Sequence, residues 1–268
     1  MIGVFDSGLG GLTILKALTQ QLPQYDYIYL GDTARVPYGN RSPECVYEFT
    51  RQGVDALFAE GCELIIIGCN TSTALALRRL QQTYLPDKAP RKRILGVIRP
   101  IVEEITKIGD VKKVGVIATR ATARSHVYQK EIHHICPSVR VIEKATPLLV
   151  PLIEEGWAAN PITKKILRGY LADLKRKQVD YLIPGCTHYA LVVNLLRQIM
   201  GRRSKVLDIG KIVALSLDDY LKRHRDLENK ISRRGSIQFL TTDSVDRFND
   251  SARFFWGRSV KSRKINLV

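Results

Sequence analysis

Two cysteines stand at the same kind of corner. Cys69 ends ELIIIG, an apolar run that reads as a buried parallel strand. Asn70, Thr71, Ser72 and Thr73 follow as helix-start residues, and ALALRRL continues as a helix. The pattern returns 117 residues later, where DYLIPG leads into Cys186, Thr187 and His188 and then the helix-like ALVVNLLRQIM. A thiol at the carboxyl end of a strand sits where α/β proteins bind ligands. The open amides and dipole of a helix N-terminus favour an anion there, a thiolate included. Two copies of one strand–Gly–Cys–polar–helix corner point to a duplicated domain with two thiols facing one pocket.

Such a pair has a definite chemistry. One thiolate removes a proton from one face of a carbon, and the other group, held as a thiol, delivers a proton to the opposite face. That inverts a stereocentre without a cofactor. An ordinary cysteine titrates near 8.5, close enough to neutral for both forms to be reached. A carbonyl or carboxylate beside that carbon must be held by donors, and Asn70, Thr71, Thr187 and glycine-rich amides supply them. Other readings stay open. Both cysteines could be structural; Cys186 and His188 could form a hydrolase pair, which leaves Cys69 idle; or they could ligate zinc, for which no second CxxC or HxxxH partner exists in the chain.

The elements that must carry these corners alternate strand and helix throughout. Residues 2–5 form a strand, and Asp6-Ser7-Gly8-Leu9-Gly10-Gly11 turns into a helix. Gly8 and Gly10 begin a dinucleotide-type GxGxxG with Asp32 at a suitable distance, but Thr13 takes the third glycine's place, so a small-anion loop is the better reading. Strands are expected at 27–30, 94–98, 114–118, 139–142, 206–209 and 237–240, with Ser42-Pro43 and Asn160-Pro161 as helix starts. VGVIA at 114–118 echoes IGVF at an offset of 112, and Thr119-Arg120-Ala121-Thr122 stands where the Asp-Ser-Gly loop stood. Residues 84–93, 147–156 and 222–235 read as loops, the last exposed and charged. The fold class is α/β, with two similar parallel-sheet domains related by pseudo-twofold symmetry and the site between them. We divide the chain into residues 1–97 plus 210–268, on the Cys69 side, and 98–209, on the Cys186 side.

Composition narrows the class. The chain has 268 residues, 45% of them hydrophobic, enough for a full core. No run reaches the roughly 20 apolar residues of a membrane helix. Met1 leads straight into a strand, so no secretory leader is expected. Five scattered cysteines do not make a disulfide framework, and a reducing cytosol with free thiols is expected. The formal charge is +16, and residues 200–268 alone carry a net +8. A basic balance favours polyanions without specifying one, and no basic stripe interleaved with aromatics names a nucleic-acid module.

With these residues assembled, the chain resembles the glutamate racemases of the cofactor-independent aspartate/glutamate racemase superfamily. The likeness runs nearly end to end, on GVFDSGLGGLT (3–13), GDTARVPYG (31–39), GCNTSTA (68–74), GVIATRATARS (115–125), VPLIEEG (150–156), GCTHY (185–189) and FLTTDSVDRF (239–248). The resemblance implies a two-domain, two-base isomerase that makes D-glutamate for bacterial peptidoglycan, with no cofactor and no metal. It implies that Cys69 works on D-glutamate and Cys186 on L-glutamate, with Asp6 assisting the first and His188 the second. Ser7, Tyr38, Gly39, Asn70, Thr71, Thr119, Thr122 and Thr187 would hold the substrate with Asp6 and His188. Asp32 and Glu154 match acidic positions in supporting catalytic roles. Ala190 stands where the family usually has proline. The expected partner is free glutamate; a homodimer is left open, no membrane is expected, and any nucleic-acid contact would be non-specific.

Overall fold

The computed structural model describes residues 1–267. Two all-parallel sheets organise it. The first holds β1 (Ile2–Asp6), β2 (Tyr27–Gly31), β3 (Leu64–Ile67) and β4 (Arg93–Gly96). The second holds β5 (Lys113–Ala118), β6 (Arg140–Ala145), β7 (Tyr181–Gly185) and β8 (Lys205–Val206). The chain then returns to the first sheet with β9 (Ile237–Thr241) and β10 (Ser262–Lys264). The strand orders are β10-β9-β2-β1-β3-β4 and β6-β5-β7-β8. In each sheet the first strand in sequence is flanked by its two successors, so the winding direction reverses between β1 and β3 and again between β5 and β7. Cys69 follows β3 and Cys186 follows β7, so both sit at such a switch point, where parallel sheets open a crevice.

The connecting helices are α1 (Leu12–Gln21), α2 (Pro43–Ala59), α3 (Asn70–Ser72), α4 (Leu85–Lys88), α5 (Ile98–Ile108), α6 (Arg120–Ser125), α7 (Val127–Ile135), α8 (Leu149–Glu154), α9 (Pro161–Arg176), α10 (Val193–Met200), α11 (Ile209–Arg223), α12 (Arg225–Glu228) and α13 (Val245–Trp256). Ser42 caps α2 by accepting the Cys45 amide at 3.2 Å, and Asn160 caps α9 through Ile162 at 2.8 Å. α1 has no side-chain cap, but it buries Leu12, Ile14, Leu15 and Leu18. Four such side chains at about 1.5–3 kcal/mol each outweigh a missing cap of about 1 kcal/mol. One core cluster runs from α1 and the first sheet to α9, α10 and α11, so the two halves share an apolar seam.

Several expectations need correction. Residues 147–156 are not a loop: α8 carries Glu154 on its last turn. Helical turns, including two of π type, carry the chain through residues 70–88, so the loop expected from 84 starts later. The strand expected over 94–98 stops at Gly96, because α5 opens at Ile98 with Arg99-Pro100 in its first turn, where a missing proline N–H is harmless. The strand expected over 206–209 stops at Val206, because Asp208 instead caps α11 by accepting the Lys211 amide at 3.1 Å. The charged run 222–235 is docked. Glu228 is buried, accepts the Tyr25 hydroxyl at 2.6 Å, and pairs with Arg225 at 2.6 Å and Arg233 at 2.7 Å. Among the described residues no helix is long and apolar enough to cross a membrane.

Candidate active site

β3 is wholly buried and delivers Cys69 to its carboxyl end. Cys69 takes an extended conformation and caps the following helix, its sulfur accepting the Ser72 amide at 3.5 Å. Its thiol donates to Ser7 Oγ at 3.4 Å. The helix terminus alone would favour a thiolate. Burial works the other way and dominates, the Asp6 carboxylate adds to it, and the contacts to Ser7 and Ser72 only pull back. The thiol is pushed up to about 11. This reverses the sequence-based expectation, and the magnitudes explain why: a helix terminus gives about 0.3–1 kcal/mol, whereas taking a charge out of water costs several.

Asp6 ends β1 and is fully buried. One oxygen accepts the Gly8 amide at 2.9 Å; the other, Oδ1, has no partner among the described residues. Burial raises this carboxyl, while His188 and the amides of Gly8 and Gly11 pull it down. The glycine-rich loop is thus turned inward, and the Gly8 amide serves Asp6, where the sequence pointed to an anion. Gly10 has a different reason to be small. A methyl there would collide with Thr187 Oγ1 and His188 Nδ1 of the other half.

The second corner departs from the first. Cys186 is extended, makes no capping bond, and leads into a 3-10 segment, Thr187–Val192, before α10 begins. No α-helix terminus faces its thiol. The 3-10 turn instead folds His188 back so that Nδ1 lies 3.8 Å from Cys186 Sγ. Nε2 of the same ring is 2.9 Å from Glu154 Oε1. Burial alone would lower the His188 pKa, but its bonds to Cys186 and Glu154 outweigh that and lift it to about 10. Phe255 from α13 meets the imidazole edge-on at 5.3 Å between ring centres.

Both thiols border one cavity of about 280 Å³. Ser7, Tyr38, Gly39, Asn70, Thr71, Thr119, Glu154, Thr187 and His188 line it with them. Hydroxyls stitch the two halves together around it: Thr71 meets Thr119 at 2.9 Å and Thr122 at 3.2 Å, and, away from the cavity itself, Thr13 donates to the Thr187 carbonyl at 3.2 Å. Asp6, Asp32 and Thr122 stand behind the wall. Asp32, expected among the catalytic groups, does not border the cavity. It is fully buried, holds the Tyr38 hydroxyl, pairs with Arg35 at 2.7 Å and accepts Thr242 Oγ1 at 2.9 Å. A larger cleft of about 800 Å³ lies between the halves elsewhere, but it carries neither thiol.

Sequence reasoning missed Thr146 and Arg120, which also line the cavity. Thr146 follows β6 just as Thr119 follows β5, so the strand-end rule could have found it. It missed Tyr128 as well, whose buried hydroxyl donates to Asn70 Oδ1 at 2.6 Å. Among the described residues no cluster of three His, Cys, Asp or Glu side chains is disposed to hold a metal ion.

Comparison with known proteins adds a second line. The Asp/Glu/hydantoin racemase family matches residues 2–216. A glutamate racemase from Geobacter metallireducens is 40% identical over 243 residues, which is 90% of this chain and 87% of that one. One from Roseobacter denitrificans is 38% identical over 97% of this chain and 98% of its own. Among solved structures, a glutamate racemase isoform from Bacillus anthracis superposes with a TM-score of 0.90 at 29% identity, covering 100% of this chain and 97% of that one. The Francisella tularensis glutamate racemase, solved in complex with D-glutamate, gives 0.88 at 33% identity over 99% of this chain and 97% of that one.

Proposed function

The chain belongs to the Asp/Glu/hydantoin racemase family and is an isomerase of the glutamate racemase kind, and we propose that it interconverts L- and D-glutamate with Cys69 and Cys186 as the two proton-transfer groups. One observation carries this reading: the two thiols border a single cavity from two different sheets. The D-glutamate bound by the Francisella relative supports the choice of substrate.

In the direction that consumes L-glutamate, Cys186 as thiolate takes the α-proton, and the Cys69 thiol protonates the opposite face. The His188 imidazolium 3.8 Å from Cys186 is the counter-charge when that thiol has lost its proton, and Glu154 holds the ring. Cys69, pushed up to about 11, is poised as the proton donor at neutral pH. In the reverse direction the roles exchange, and Asp6 beside Cys69 matters most. A protonated Asp6 removes the negative charge that opposes a Cys69 thiolate. Donors at the wall, among them Asn70, Thr71, Thr119 and Thr187, hold the carboxylates while charge builds on the α-carbon. No cofactor is needed for this sequence of steps. We take residues 1–97 with 210–268 as the unit bearing Cys69 and 98–209 as the unit bearing Cys186. In a bacterial cytosol the product D-glutamate would feed peptidoglycan synthesis.

Solvent deuterium tests the reading. In deuterated water, product glutamate of inverted configuration should carry deuterium at the α-carbon, because the delivering thiol exchanges with solvent. Inverted product that keeps its original α-hydrogen rules out two separate thiol bases.

A further inference from the structure

The wall between the two cysteine corners contains one side chain that touches both. Tyr128, on the first turns of α7, is fully buried. Its ring lies against Gly185, so close that a methyl on that glycine would come within 3.1 Å of Cε2. Gly185 immediately precedes Cys186. At its other end the phenol hydroxyl donates to Asn70 Oδ1 at 2.6 Å, and Asn70 immediately follows Cys69. The span from one thiol's neighbour to the other's is thus a single rigid aromatic ring with one hydrogen bond. Tyr128 does not border the cavity, whereas Asn70 does. The bond also spends the acceptor of the Asn70 amide and leaves Nδ2, buried and unpartnered among the described residues, as the free donor.

We propose that Tyr128 is a positioning residue that sets the gap between the two thiols. The proposal rests on the two-thiol reading above. Two-base inversion needs both sulfurs at their working distance from one carbon in the same complex. Removing the α-proton alone needs only one. The Thr71, Thr119 and Thr122 hydroxyls also bridge the halves, but they are clustered at the cavity wall and can re-pair among themselves. The phenol has one hydrogen-bond partner among the described residues, and its ring packs against Gly185 at the second corner. A bond of this kind, left broken in a buried place, costs enough to let the two corners drift apart.

The test compares the two kinds of turnover in Tyr128→Phe. Racemisation of glutamate reads both thiols together. Elimination from each isomer of a glutamate analogue with chlorine at the β-carbon reads one thiol at a time. There the thiolate takes the α-proton, the C–H electron pair becomes the Cα–Cβ double bond, and chloride leaves with its own pair; water then hydrolyses the enamine to the 2-oxo acid and ammonium. Racemisation should fall roughly 10-fold and chloride release from either isomer by less than about threefold, since small misplacements are costly where two groups must align. Asn70→Ala breaks the same bond from the other side, so adding Tyr128→Phe to it should change the ratio of the two rates no further. Parallel loss of racemisation and elimination, or a full second loss in the double variant, overturns the proposal. Wild-type protein that eliminates from one isomer only defeats the two-thiol reading itself, and this inference with it.

Discussion

Cys69 and Cys186 have the same chemistry and different surroundings. Cys69 is a helix cap beside a buried carboxyl group and two hydroxyls, whereas Cys186 has no cap and lies beside an imidazole held by Glu154. Enantiomers have equal free energy in water, so no substitution can change kcat/KM in one direction of racemisation alone. Each face must therefore be read through an irreversible half-reaction. Cys69→Ser and Cys186→Ser should each lower racemisation by about 10²–10⁴-fold, the usual contribution of a positioned acid or base. Chloride release from the β-chloro analogue should separate them. Cys69→Ser should still eliminate from the L-isomer and hardly from the D-isomer, and Cys186→Ser should show the reverse. Equal losses on both isomers in both variants would withdraw the assignment of faces.

At the scale of elements, the glycine-rich loop after β1 governs how closely the halves approach. Gly10 faces Thr187 and His188 across the seam, and Gly11 packs on Asp6 Cβ, which a methyl would approach to 2.5 Å. Gly10→Ala puts a methyl where the imidazole now sits. Overpacking of this kind costs about 1–3 kcal/mol, and relieving it requires His188 to move from Cys186 and Glu154. The expected result is a lower unfolding midpoint together with a kcat loss larger than that of Gly8→Ala, whose added methyl would meet only Val36, at 3.1 Å. If the two variants lose kcat equally, the contact with His188 does not matter to turnover.

The same loop marks how far the sequence could be read. Alternating apolar runs and strand-end cysteines were enough for two parallel sheets and for both thiol corners with Asn70, Thr71, Thr187 and His188, whereas Ser7, Tyr38, Gly39, Thr119 and Glu154 came from the family resemblance. Periodicity could not reveal that Cys186 enters a 3-10 turn, because ALVVNLLRQIM has a helical pattern whichever way its first turn is wound. Nor could it reveal that PLLVPLIEEG coils into α8, since prolines in the run read as breaks. Tyr128 and Thr146 escaped notice for a plainer reason. Their partners, Asn70 and Tyr189, are 58 and 43 residues away, and only tertiary contact makes them neighbours.

The charge of the whole molecule is the feature least tied to the site. The formal +16 is not gathered around the cavity, which holds Asp6 behind its wall and Glu154, His188 and Arg120 on it. Part of the basic C-terminal quarter is spent internally. Lys222 and Arg223 pair with Asp218 and Asp219 at 2.9 and 3.0 Å, and Arg225 and Arg233 hold the buried Glu228. Replacing the last two would strip a buried carboxylate of both its ion-pair partners and confound charge with stability. Arg91, Lys230, Arg234 and Lys261 are exposed and have no ion pair among the described residues, so they isolate the charge itself. Changing all four to Gln should leave kcat and KM for glutamate within about twofold at physiological salt, where screening extends over about 8 Å. Retention on a heparin column should weaken, and any binding to duplex DNA should fall steeply with salt, as counterion release requires. A collapse of racemisation in this variant would place the basic surface within the catalytic cycle. DNA binding by the wild-type protein that is selective for sequence and persists at high salt would give that surface a function of its own.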